Sequence, residues 1–399
     1  MRRIGANYII TNTGEALRNA YLELDDKGVI LDVIEHSGIL NEVAGLEFYN
    51  GVLVPAFVNA HAHLELSYMK AKIKQKQGLP SFISSLRGIR EQASPEEIQS
   101  AIKDADEELI REGVALVADI SNTKETIKAK KQSQLYYKTF VEVFGIDKYQ
   151  AYDVFENAKS ILAEYRNNDL KASITPHATY SVSEKLFSLI TELSYQENAT
   201  ISIHNQETES ENQMFIDKTG ELADFFKTIG VNLNTFYPTG YNSLPSVVIQ
   251  LPKCSKLNMV HNTFSSQEDI DKVKTYTKHA FWTICPNANL YIEDKLPDIG
   301  LLYRNNLRVC IGTDSLASNT RLSIIEELKT IQKYFPEIPF LELIKWSSYN
   351  GADVLDEQKT LGSFEKGKKP GVVLIENFNF DTFKLKDNST VRVLQKAMG

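Results

Sequence analysis

Short apolar runs alternate with longer segments of helical period through the middle of the chain, from residue 53 to about residue 350. The apolar runs predict eight buried strands, at 52–59, 114–120, 139–144, 172–175, 199–203, 257–260, 280–284 and 309–311. The intervening segments predict helices, most clearly at 95–111, 151–166, 183–195, 265–275 and 323–333. Strands that alternate with helices indicate a parallel sheet, and eight is the number of strands in a closed (β/α)8 barrel.

An open doubly wound sheet is the other arrangement that this alternation allows. Such a sheet predicts a glycine-rich phosphate-binding turn after its first strand, and the sequence has no such turn there. Two connections of the predicted barrel are long, at 64–112 and 208–256, and long loops usually carry function. Aromatic residues of the second connection could wall an apolar pocket or pack its own helix, and the sequence leaves both open; they are Phe225, Phe226, Phe236, Tyr237 and Tyr241.

Both ends of the chain are rich in β-prone residues. At the N-terminal end the predicted strands are 7–11, 20–24 and 29–35, and Asp-Asp-Lys-Gly at 25–28 is a hairpin turn signal. At the C-terminal end they are 372–375 and 391–394. We expect these strands to pair into one small β domain into which the barrel is inserted. The predicted domains are residues 1–53 plus 355–399, and residues 54–354.

Composition narrows the class of protein further. Of the 399 residues, 42% are hydrophobic and 24% are charged, which is ordinary for a globular protein. The 52 acidic and 44 basic residues give a net charge of −8, so we expect no nucleic-acid partner and no anionic membrane. The three cysteines form no CxxC pair, which favours a cytoplasmic location. We expect neither a leader peptide nor a membrane span, because no apolar stretch approaches about 18 residues.

The histidines are not randomly placed. Five of the seven, and one aspartate, follow predicted barrel strands, and the carboxyl ends of such strands carry the catalytic residues of barrel enzymes. His61 and His63 are two residues apart, so their side chains point to the same face of a strand. Two imidazoles on one face can bind one ion, and imidazole suits zinc or iron.

A second histidine segment is followed by a carboxylate. His204 ends a predicted strand, and Glu207 lies in the turn beyond it. A metal ligand close to a carboxylate suits a site where a water activated by the metal needs a proton acceptor. Glu207 could instead be a solvated charge, because Glu209 and Glu211 make the same loop acidic. Its position beside His204 favours catalysis.

Three more candidate residues follow strands: His177, His261 and Asp314. The two histidines could be structural, bonded to backbone carbonyls, or could face a metal or a substrate. Asp314 could complete a metal site or transfer protons. The remaining histidines, His36 and His279, fit no site, and we interpret them as structural or solvated.

Together these segments resemble the amidohydrolase superfamily, in the branch of chlorohydrolases and deaminases of nucleobases or nucleosides. The resemblance extends over nearly the whole chain. The matching motifs are Pro-x-Phe-x-Asn-x-His-x-His at 55–63, His-x-x-Glu at 204–207, His261, Cys-Pro-x-x-Asn at 285–289, Gly-Thr-Asp-Ser at 312–315 and Gly-Ser-x-x-x-Gly-Lys at 362–368. The resemblance implies an α/β fold, a distorted (β/α)8 TIM barrel with a small β-sandwich domain formed from both chain ends.

The resemblance also implies a metal and a set of roles. One divalent ion is expected, zinc with iron as the rival, and no organic cofactor. Glu207 would shuttle the proton, His261 would polarise the attacked centre, and His177 would contact a small-molecule substrate. Asp314 would accept a proton from the attacking water as well as bind the metal. The implied metal ligands are His61, His63, His204 and Asp314.

Within the branch, residues 63–67 are most similar to the aminodeoxyfutalosine deaminases. This similarity implies substrate contacts by Glu65 and Ser67. Thr179 departs from the pattern of that group, which usually has a proline there. No lysine is placed to become a carbamate that bridges two metals. Glu142 could still bind a second metal, so the sequence leaves that alternative open.

The activity that the resemblance implies is hydrolytic deamination of an aminated purine nucleoside or a related heterocycle. Aminodeoxyfutalosine is the first candidate, and adenosine-type compounds are next. The same site could hydrolyse a cyclic amide or a halogenated heterocycle, and ammonia release separates these alternatives from deamination. A non-catalytic metal-binding scaffold is the alternative of another class, but a scaffold has no need of Glu207. Family members are often dimeric, so a homodimer is allowed.

Overall fold

The computed structural model describes residues 1–36, 42–90 and 92–397. Its strands lie in three sheets. In chain order the strands are β1 (Arg2–Ile9), β2 (Ala20–Leu24), β3 (Ile30–Glu35), β4 (Leu46–Pro55), β5 (Phe57–Ala62), β6 (Val114–Ser121), β7 (Tyr136–Val143), β8 (Lys171–Pro176), β9 (Ile201–Asn205), β10 (Leu257–His261), β11 (Ala280–Ile284), β12 (Val309–Ile311), β13 (Val372–Glu376) and β14 (Thr390–Gln395).

One sheet contains strands from both ends of the chain, in the order β14-β13-β4-β1-β2-β3. Strands β1 and β4 pair in parallel, and the other neighbours are antiparallel. The predicted hairpin turn joins β2 to β3, where the Asp25 carboxylate accepts bonds from the backbone N–H groups of Lys27 and Val29. Apolar side chains such as Ile4 and Leu374 form a core that belongs to this sheet.

The other eight strands form two parallel sheets, in the orders β5-β6-β7-β8 and β9-β10-β11-β12. They correspond to the eight predicted apolar runs. Single parallel bridges join the two sheets at both of their edges, between Ala62 and Asp314 and between Ala178 and His204. The result is an α/β fold with parallel sheets, in which strand ends that are far apart in sequence lie together.

Helices occupy most of the connections between these strands. The five most clearly predicted helices are all present, and within the described ranges no helix combines the length and apolarity needed to cross a bilayer. A 3-10 helix spans Leu64–Met69, and the α-helices are α1 (Gly78–Arg90), α2 (Pro95–Arg111), α3 (Ile127–Gln132), α4 (Ala151–Asn167), α5 (Glu184–Glu197), α6 (Glu209–Asp217), α7 (Glu221–Thr228), α8 (Ser243–Val248), α9 (Gln267–Tyr276), α10 (Pro286–Glu293), α11 (Ile299–Arg304), α12 (Ile324–Tyr334), α13 (Phe340–Ser347) and α14 (Tyr349–Val354).

The first apolar run, 52–59, is divided between two sheets. Its first half ends β4, and its second half begins β5 after Ala56. The predicted domain boundary after residue 53 therefore falls inside β4. Residues 51–62 are all buried, so the hydrophobicity does not change where the chain passes from one sheet to the other.

The first strand also begins earlier than predicted, at Arg2 instead of residue 7. The start of this strand was not predicted because residues 2 and 3 are arginines, and charged residues do not match the apolar pattern of a strand. Arg2 is paired with Glu47 at 2.7 Å, and Arg3 with Glu23 at 2.8 Å. Cross-strand ion pairs of this kind let a polar segment enter a sheet.

The two long connections carry helices of their own, and α1 from the first contacts α7 from the second. Phe226 packs 6.0 Å from Tyr180, which follows β8, whereas Phe236 packs within the second connection. Tyr237 and Tyr241 are exposed. Of the aromatic residues considered as a pocket wall, Phe226 is thus the one that reaches a neighbouring strand end.

Candidate active site

Three histidine side chains converge at the carboxyl ends of β5 and β9. His61 lies on β5, His63 directly follows it, and His204 lies on β9. The Nε2 atom of His63 is 3.1 Å from that of His61 and 3.3 Å from that of His204. All three side chains are buried. The structure therefore brings these three residues together, and their nitrogens form a candidate metal group.

The chemistry of this group fits a divalent cation. Nδ1 of His204 donates to the backbone carbonyl of His177 at 2.7 Å, which leaves the lone pair on Nε2. Such a bond from the far ring nitrogen is usual in a metal-binding histidine. Three nitrogens that each lie about 2.0–2.1 Å from one tetrahedral ion are about 3.3 Å apart, close to the observed separations. A cation also relieves the repulsion between lone pairs that converge in buried space.

Asp314, which follows β12, approaches the same group. Its Oδ1 atom is 3.4 Å from Nε2 of His63 and 3.6 Å from Nε2 of His61, and its Oδ2 atom accepts a bond from Ser318 at 2.5 Å. Its φ of 57° is left-handed, a strained conformation that often marks a functional site. Burial acts to raise the pKa of Asp314, but its bond with His61 and the neighbouring rings bring the net pKa below its ordinary value.

Contacts between β5 and β12 hold these metal-facing segments together. Asn59 donates to the hydroxyl of Thr313 at 2.7 Å and accepts from its backbone N–H at 3.1 Å. The carbonyl of His61 accepts from the same backbone N–H and from the next one. Gly312 leaves no space for a side chain, because a Cβ there would lie 2.8 Å from Cβ of His61 and 2.9 Å from Sγ of Cys285. The asparagine and glycine of the two motifs thus position the ligands.

Four histidine rings of the site are neutral at physiological pH. Burial is the largest influence on each of them, and it lowers the pKa of His61, His177, His204 and His261 to about 3. A metal binds the neutral form of imidazole. The rings therefore need not lose a proton before they bind a cation.

Glu207 and His261 form a second part of the site. Oε1 of Glu207 is 3.6 Å from Nε2 of His261, and both residues are buried. Asn289 donates to Nδ1 of His261 at 3.3 Å, which leaves the ring proton on Nε2, where it faces Glu207. Burial, followed by the charges of nearby carboxylates, raises the pKa of Glu207 well above its ordinary value. A carboxyl whose pKa is raised keeps its proton to a higher pH and can give it to a substrate.

His177 lies between the histidine group and the solvent. It is the one partly exposed residue among the predicted site residues. Its ring centre is 4.9 Å from that of His204 and 6.1 Å from that of Phe144, and its Nδ1 atom is 2.7 Å from the hydroxyl of Ser181. Phe144 is 55% exposed, so the pair extends from the histidine group to the protein surface.

Glu65 and Ser67 lie in the 3-10 helix that follows the first motif. The buried carboxylate of Glu65 accepts bonds from Arg90 at 3.0 Å, from the backbone of Asn122 at 3.0 Å, and from Thr123. Both oxygens thus have partners inside the chain. The buried hydroxyl of Ser67 has no hydrogen-bond partner within the described part of the chain. Of these two residues, Ser67 therefore has the free polar group that a ligand needs.

Glu142, at the end of β7, lies behind His204. Its Oε1 atom is 3.4 Å from Nδ1 of His204, and Asn122 donates to its Oε2 atom at 3.0 Å. Glu142, His177 and His204 form a second candidate metal group. Because Nδ1 of His204 already donates to a carbonyl, it offers no lone pair on that side. Glu142 is therefore better placed to orient His204 than to bind a second ion.

Sequence reasoning missed two residues of this site. Glu211, considered above only as part of an acidic loop, is fully buried and accepts bonds from the backbone N–H groups of Gln206 and Glu207. Thr-x-x-Glu at 208–211 is the pattern of a helix capping box, and this signal indicates a carboxylate that bonds backbone. Asn289 belongs to the Cys-Pro-x-x-Asn motif, but that pattern does not indicate contact with a histidine.

Comparison with known proteins agrees with this geometry. The sequence model of the amidohydrolase family matches residues 52–396. An adenosine deaminase from Helicobacter pylori is 28% identical over 338 residues, which cover 81% of this chain and 80% of that protein. An aminodeoxyfutalosine deaminase from a Nitratiruptor species is 27% identical over 331 residues, which cover 82% and 79%.

Solved structures share the fold. Helicobacter pylori aminofutalosine deaminase, in complex with methylthio-coformycin, has a TM-score of 0.81 and 25% identity, with 95% of this chain and 93% of that chain covered. An adenosine deaminase from Xanthomonas campestris with bound zinc has a TM-score of 0.75 and 18% identity, with 99% and 92% covered. The family match spans most of this chain. The protein therefore belongs to the amidohydrolase family, whose members are metal-dependent hydrolases, and it acts on C–N bonds.

Proposed function

We propose that the protein deaminates a 6-aminopurine nucleoside, replacing the exocyclic amine by oxygen from water and releasing ammonia. One observation carries the proposal: the buried Glu207–His261 pair lies beside the three-histidine group, with the ring of His261 5.5 Å from that of His204. This arrangement would supply a proton donor next to a cation site. The relatives named adenosine and aminodeoxyfutalosine deaminases support the substrate class.

We propose that one divalent ion is held by this group. A bound ion would lower the pKa of a water to about 7 and so supply hydroxide at neutral pH. Imidazole nitrogens with a carboxylate oxygen suit zinc, and iron is the rival. Hydrolysis needs no organic cofactor, and we propose none. The proposed ligands are His61, His63, His204 and Asp314.

Glu207 would carry the proton of the reaction. Attack on an sp2 ring carbon becomes easier when the adjacent ring nitrogen is protonated, because the ring can then accept the electron pair. Burial, which raises the pKa of Glu207, keeps a proton on the carboxyl until the ring nitrogen takes it. The carboxylate that results can take the proton of the hydroxyl added to the carbon and carry it to the departing amine. The C–N bond then breaks, ammonia leaves, and the added oxygen remains as a carbonyl.

His261 and Asp314 would act on the attacked carbon from the metal side. The Nε2–H group of His261, oriented by Asn289 at 3.3 Å, would donate to the oxyanion that forms. Asp314, whose Oδ1 atom is 3.4 Å from Nε2 of His63, would accept the proton of the attacking water. Donors and acceptors that are oriented before the reaction begins contribute most to catalysis in a buried site.

The part of the substrate that does not react would contact His177, Glu65 and Ser67. The exposure of His177 beside Phe144 and the free hydroxyl of Ser67 support direct contacts. Glu65 would act through Arg90, because its own oxygens are already bonded. Aminodeoxyfutalosine is the first candidate substrate, followed by adenosine-type compounds.

We also propose that β5–β12 form a closed, distorted (β/α)8 barrel. The bridges at both edges of the two parallel sheets support closure. The strands from the chain ends would form the small β-sandwich domain, from residues 1–53 plus 355–399, beside a catalytic domain of residues 54–354. The single six-stranded sheet that joins both ends supports this division.

The remaining proposals concern the setting of the enzyme. A net charge of −8 and the three scattered cysteines support a cytoplasmic enzyme without a nucleic-acid or membrane partner. A homodimer is the proposed assembly. Size-exclusion chromatography with light scattering of the purified protein tests the assembly directly.

A substrate panel with ammonia detection tests the proposed function. The zinc-loaded protein is assayed with aminodeoxyfutalosine, adenosine, guanine, cytosine, a cyclic amide and a halogenated triazine. We expect ammonia from the 6-aminopurine nucleosides, with the change in purine absorbance that accompanies loss of the amine. Activity confined to the cyclic amide and the triazine would refute deamination while leaving the metal site intact.

A further inference from the structure

Glu211 occupies a fully buried position directly behind Glu207. It lies in the first turn of α6. Its Oε1 atom accepts bonds from the hydroxyls of Thr179 and Ser243, each at 2.6 Å, and from the backbone N–H of Gln206 at 2.8 Å. Its Oε2 atom accepts from the backbone N–H of Glu207 at 3.1 Å. One carboxylate thus joins the loop after β8, the end of β9 and the long second connection.

The backbone that Glu211 holds has an unusual conformation. Gln206 has a φ of 48°, in the left-handed region, where a residue other than glycine stays only if its surroundings hold it. The side chain of Gln206 is held by Ser265 and by Asp269. Two consecutive N–H groups then point at Glu211 and fix the peptide from which the side chain of Glu207 projects.

Stability alone does not explain this residue. Burial raises the pKa of Glu211, and hydrogen bonds are the main influences that oppose the shift. Burying a carboxyl group in this way is unfavourable in itself, and well-packed apolar residues can often replace buried polar groups without loss of stability. An apolar residue, however, could not accept hydrogen bonds from the backbone N–H groups of Gln206 and Glu207.

We propose that Glu211 is a positioning residue for the deamination reaction. It holds the backbone of Glu207 so that the carboxyl of Glu207 faces His261 and the reacting ring. The inference rests on the proposed role of Glu207 as the proton carrier. Glu211 touches no reacting atom, so its effect is on geometry, and a misplacement of about 1 Å at a reacting group can slow turnover about 100-fold.

The substitution Glu211→Gln tests this role. The amide keeps the volume of the side chain and one oxygen, which can still accept from Thr179 and Ser243. Its NH2 group then faces the N–H of Glu207, and two opposed donors force that peptide to move. We expect kcat to fall by about 10- to 100-fold while KM changes by less than about threefold and the zinc content stays unchanged. The assay is run at a temperature at which the variant is folded.

Glu209→Gln is the matched control. Glu209 lies in the same helical turn and undergoes the same change of charge, but its side chain is exposed. We expect it to keep the kcat of the unmodified enzyme. Equal kcat values in the two variants would overturn the proposal. Loss of zinc from Glu211→Gln would also overturn it, because that result would indicate damage to the whole site.

A second variant keeps the proposal testable if Glu211→Gln does not fold. The double substitution Thr179→Val and Ser243→Ala removes two donors from the carboxylate and keeps the carboxylate itself. We expect kcat to fall severalfold with unchanged zinc content, and an unchanged kcat would overturn the proposal. Glu207→Gln distinguishes a failure of the proposed role of Glu207 from a failure of positioning. Normal turnover in Glu207→Gln would refute that role and the positioning proposal with it, whereas loss of turnover there with normal turnover in Glu211→Gln would refute positioning alone.

Discussion

Gly312 offers a direct test of how tightly the metal-facing segments are joined. The substitution Gly312→Ala adds one methyl group between β5 and β12. That Cβ would lie 2.8 Å from Cβ of His61 and 2.9 Å from both the carbonyl oxygen of His61 and Sγ of Cys285. Ordinary contacts begin at 3.4 Å, so the nearest one falls short by 0.6 Å. The two atoms of His61 cannot move without the backbone of β5, and His61 and Cys285 are both buried.

The expected effect of Gly312→Ala on kcat and on stability can be worked out from the movement that the added methyl group requires. Relief of the contact requires β12 to move away from β5 by at least this shortfall. Asp314 is only two residues beyond Gly312 in the chain, so it moves with β12, and the bond from its N–H to the carbonyl of His61 lengthens. Overpacking of a buried core typically costs about 1–3 kcal/mol. A displacement approaching 1 Å at a reacting group slows turnover by about 100-fold. We therefore expect kcat to fall by roughly 10- to 100-fold, together with a measurable loss of stability.

The assay compares kcat, zinc content and the free energy of unfolding in denaturant. Gly14→Ala is the control, because a Cβ at Gly14 meets nothing within 4 Å, and we expect it to match the unmodified protein in all three. If Gly312→Ala had the same kcat and unfolding free energy as the control, β5 and β12 could separate freely. The argument that their contact positions His61 and Asp314 would then be refuted.

Four further predictions follow from the site. Glu207→Gln should keep near-normal zinc content and lower kcat by about 100-fold or more, as loss of a general acid–base typically does; near-normal turnover would assign the proton transfer to another group. His61→Ala should instead lose the metal, measured by elemental analysis, and full zinc occupancy in that variant would remove His61 from the ligand set. Asn289→Leu removes one buried hydrogen bond to His261, worth about 0.5–1.5 kcal/mol, so kcat should fall about threefold to tenfold; an unchanged kcat would mean that this bond does not orient the ring. Finally, burial and the nearby carboxylates raise the pKa of Glu207, and the protonated form is the active one. Turnover should therefore fall as the pH rises through that raised pKa, whereas a profile that falls only on the acidic side would contradict the assignment.

The strands of the fold could be predicted because buried strands appear in the sequence as runs of apolar residues. Seven of the eight apolar runs became parallel strands, and the first run contributes its second half to a parallel strand, β5. Helix α2 begins at Pro95 after Ser94, whose hydroxyl accepts from the third residue of the helix. The passage from β4 to β5 could not be located in this way. Residues on both sides of Ala56 are buried, so the pattern of hydrophobicity shows one run where the chain forms two strands.

The sequence could indicate those residues of the candidate site that have a metal-binding side chain and also lie at the end of an apolar strand. His61, His63 and His204 meet as expected because the carboxyl ends of parallel strands lie at the same edge. Residues that act through hydrogen bonds across the fold were harder to find. Glu211 looked like one more acidic loop residue, and its role depends on four donors from three separate segments.

Heavy-oxygen water provides the most direct test of the central claim, that the site deaminates a 6-aminopurine nucleoside by hydrolysis. The zinc-loaded enzyme is incubated with aminodeoxyfutalosine or adenosine in this water, and the product is analysed by mass spectrometry while ammonia is counted. The account predicts one heavy oxygen in each product molecule and one ammonia for each turnover. A product without the heavy oxygen, or turnover without ammonia, would contradict it.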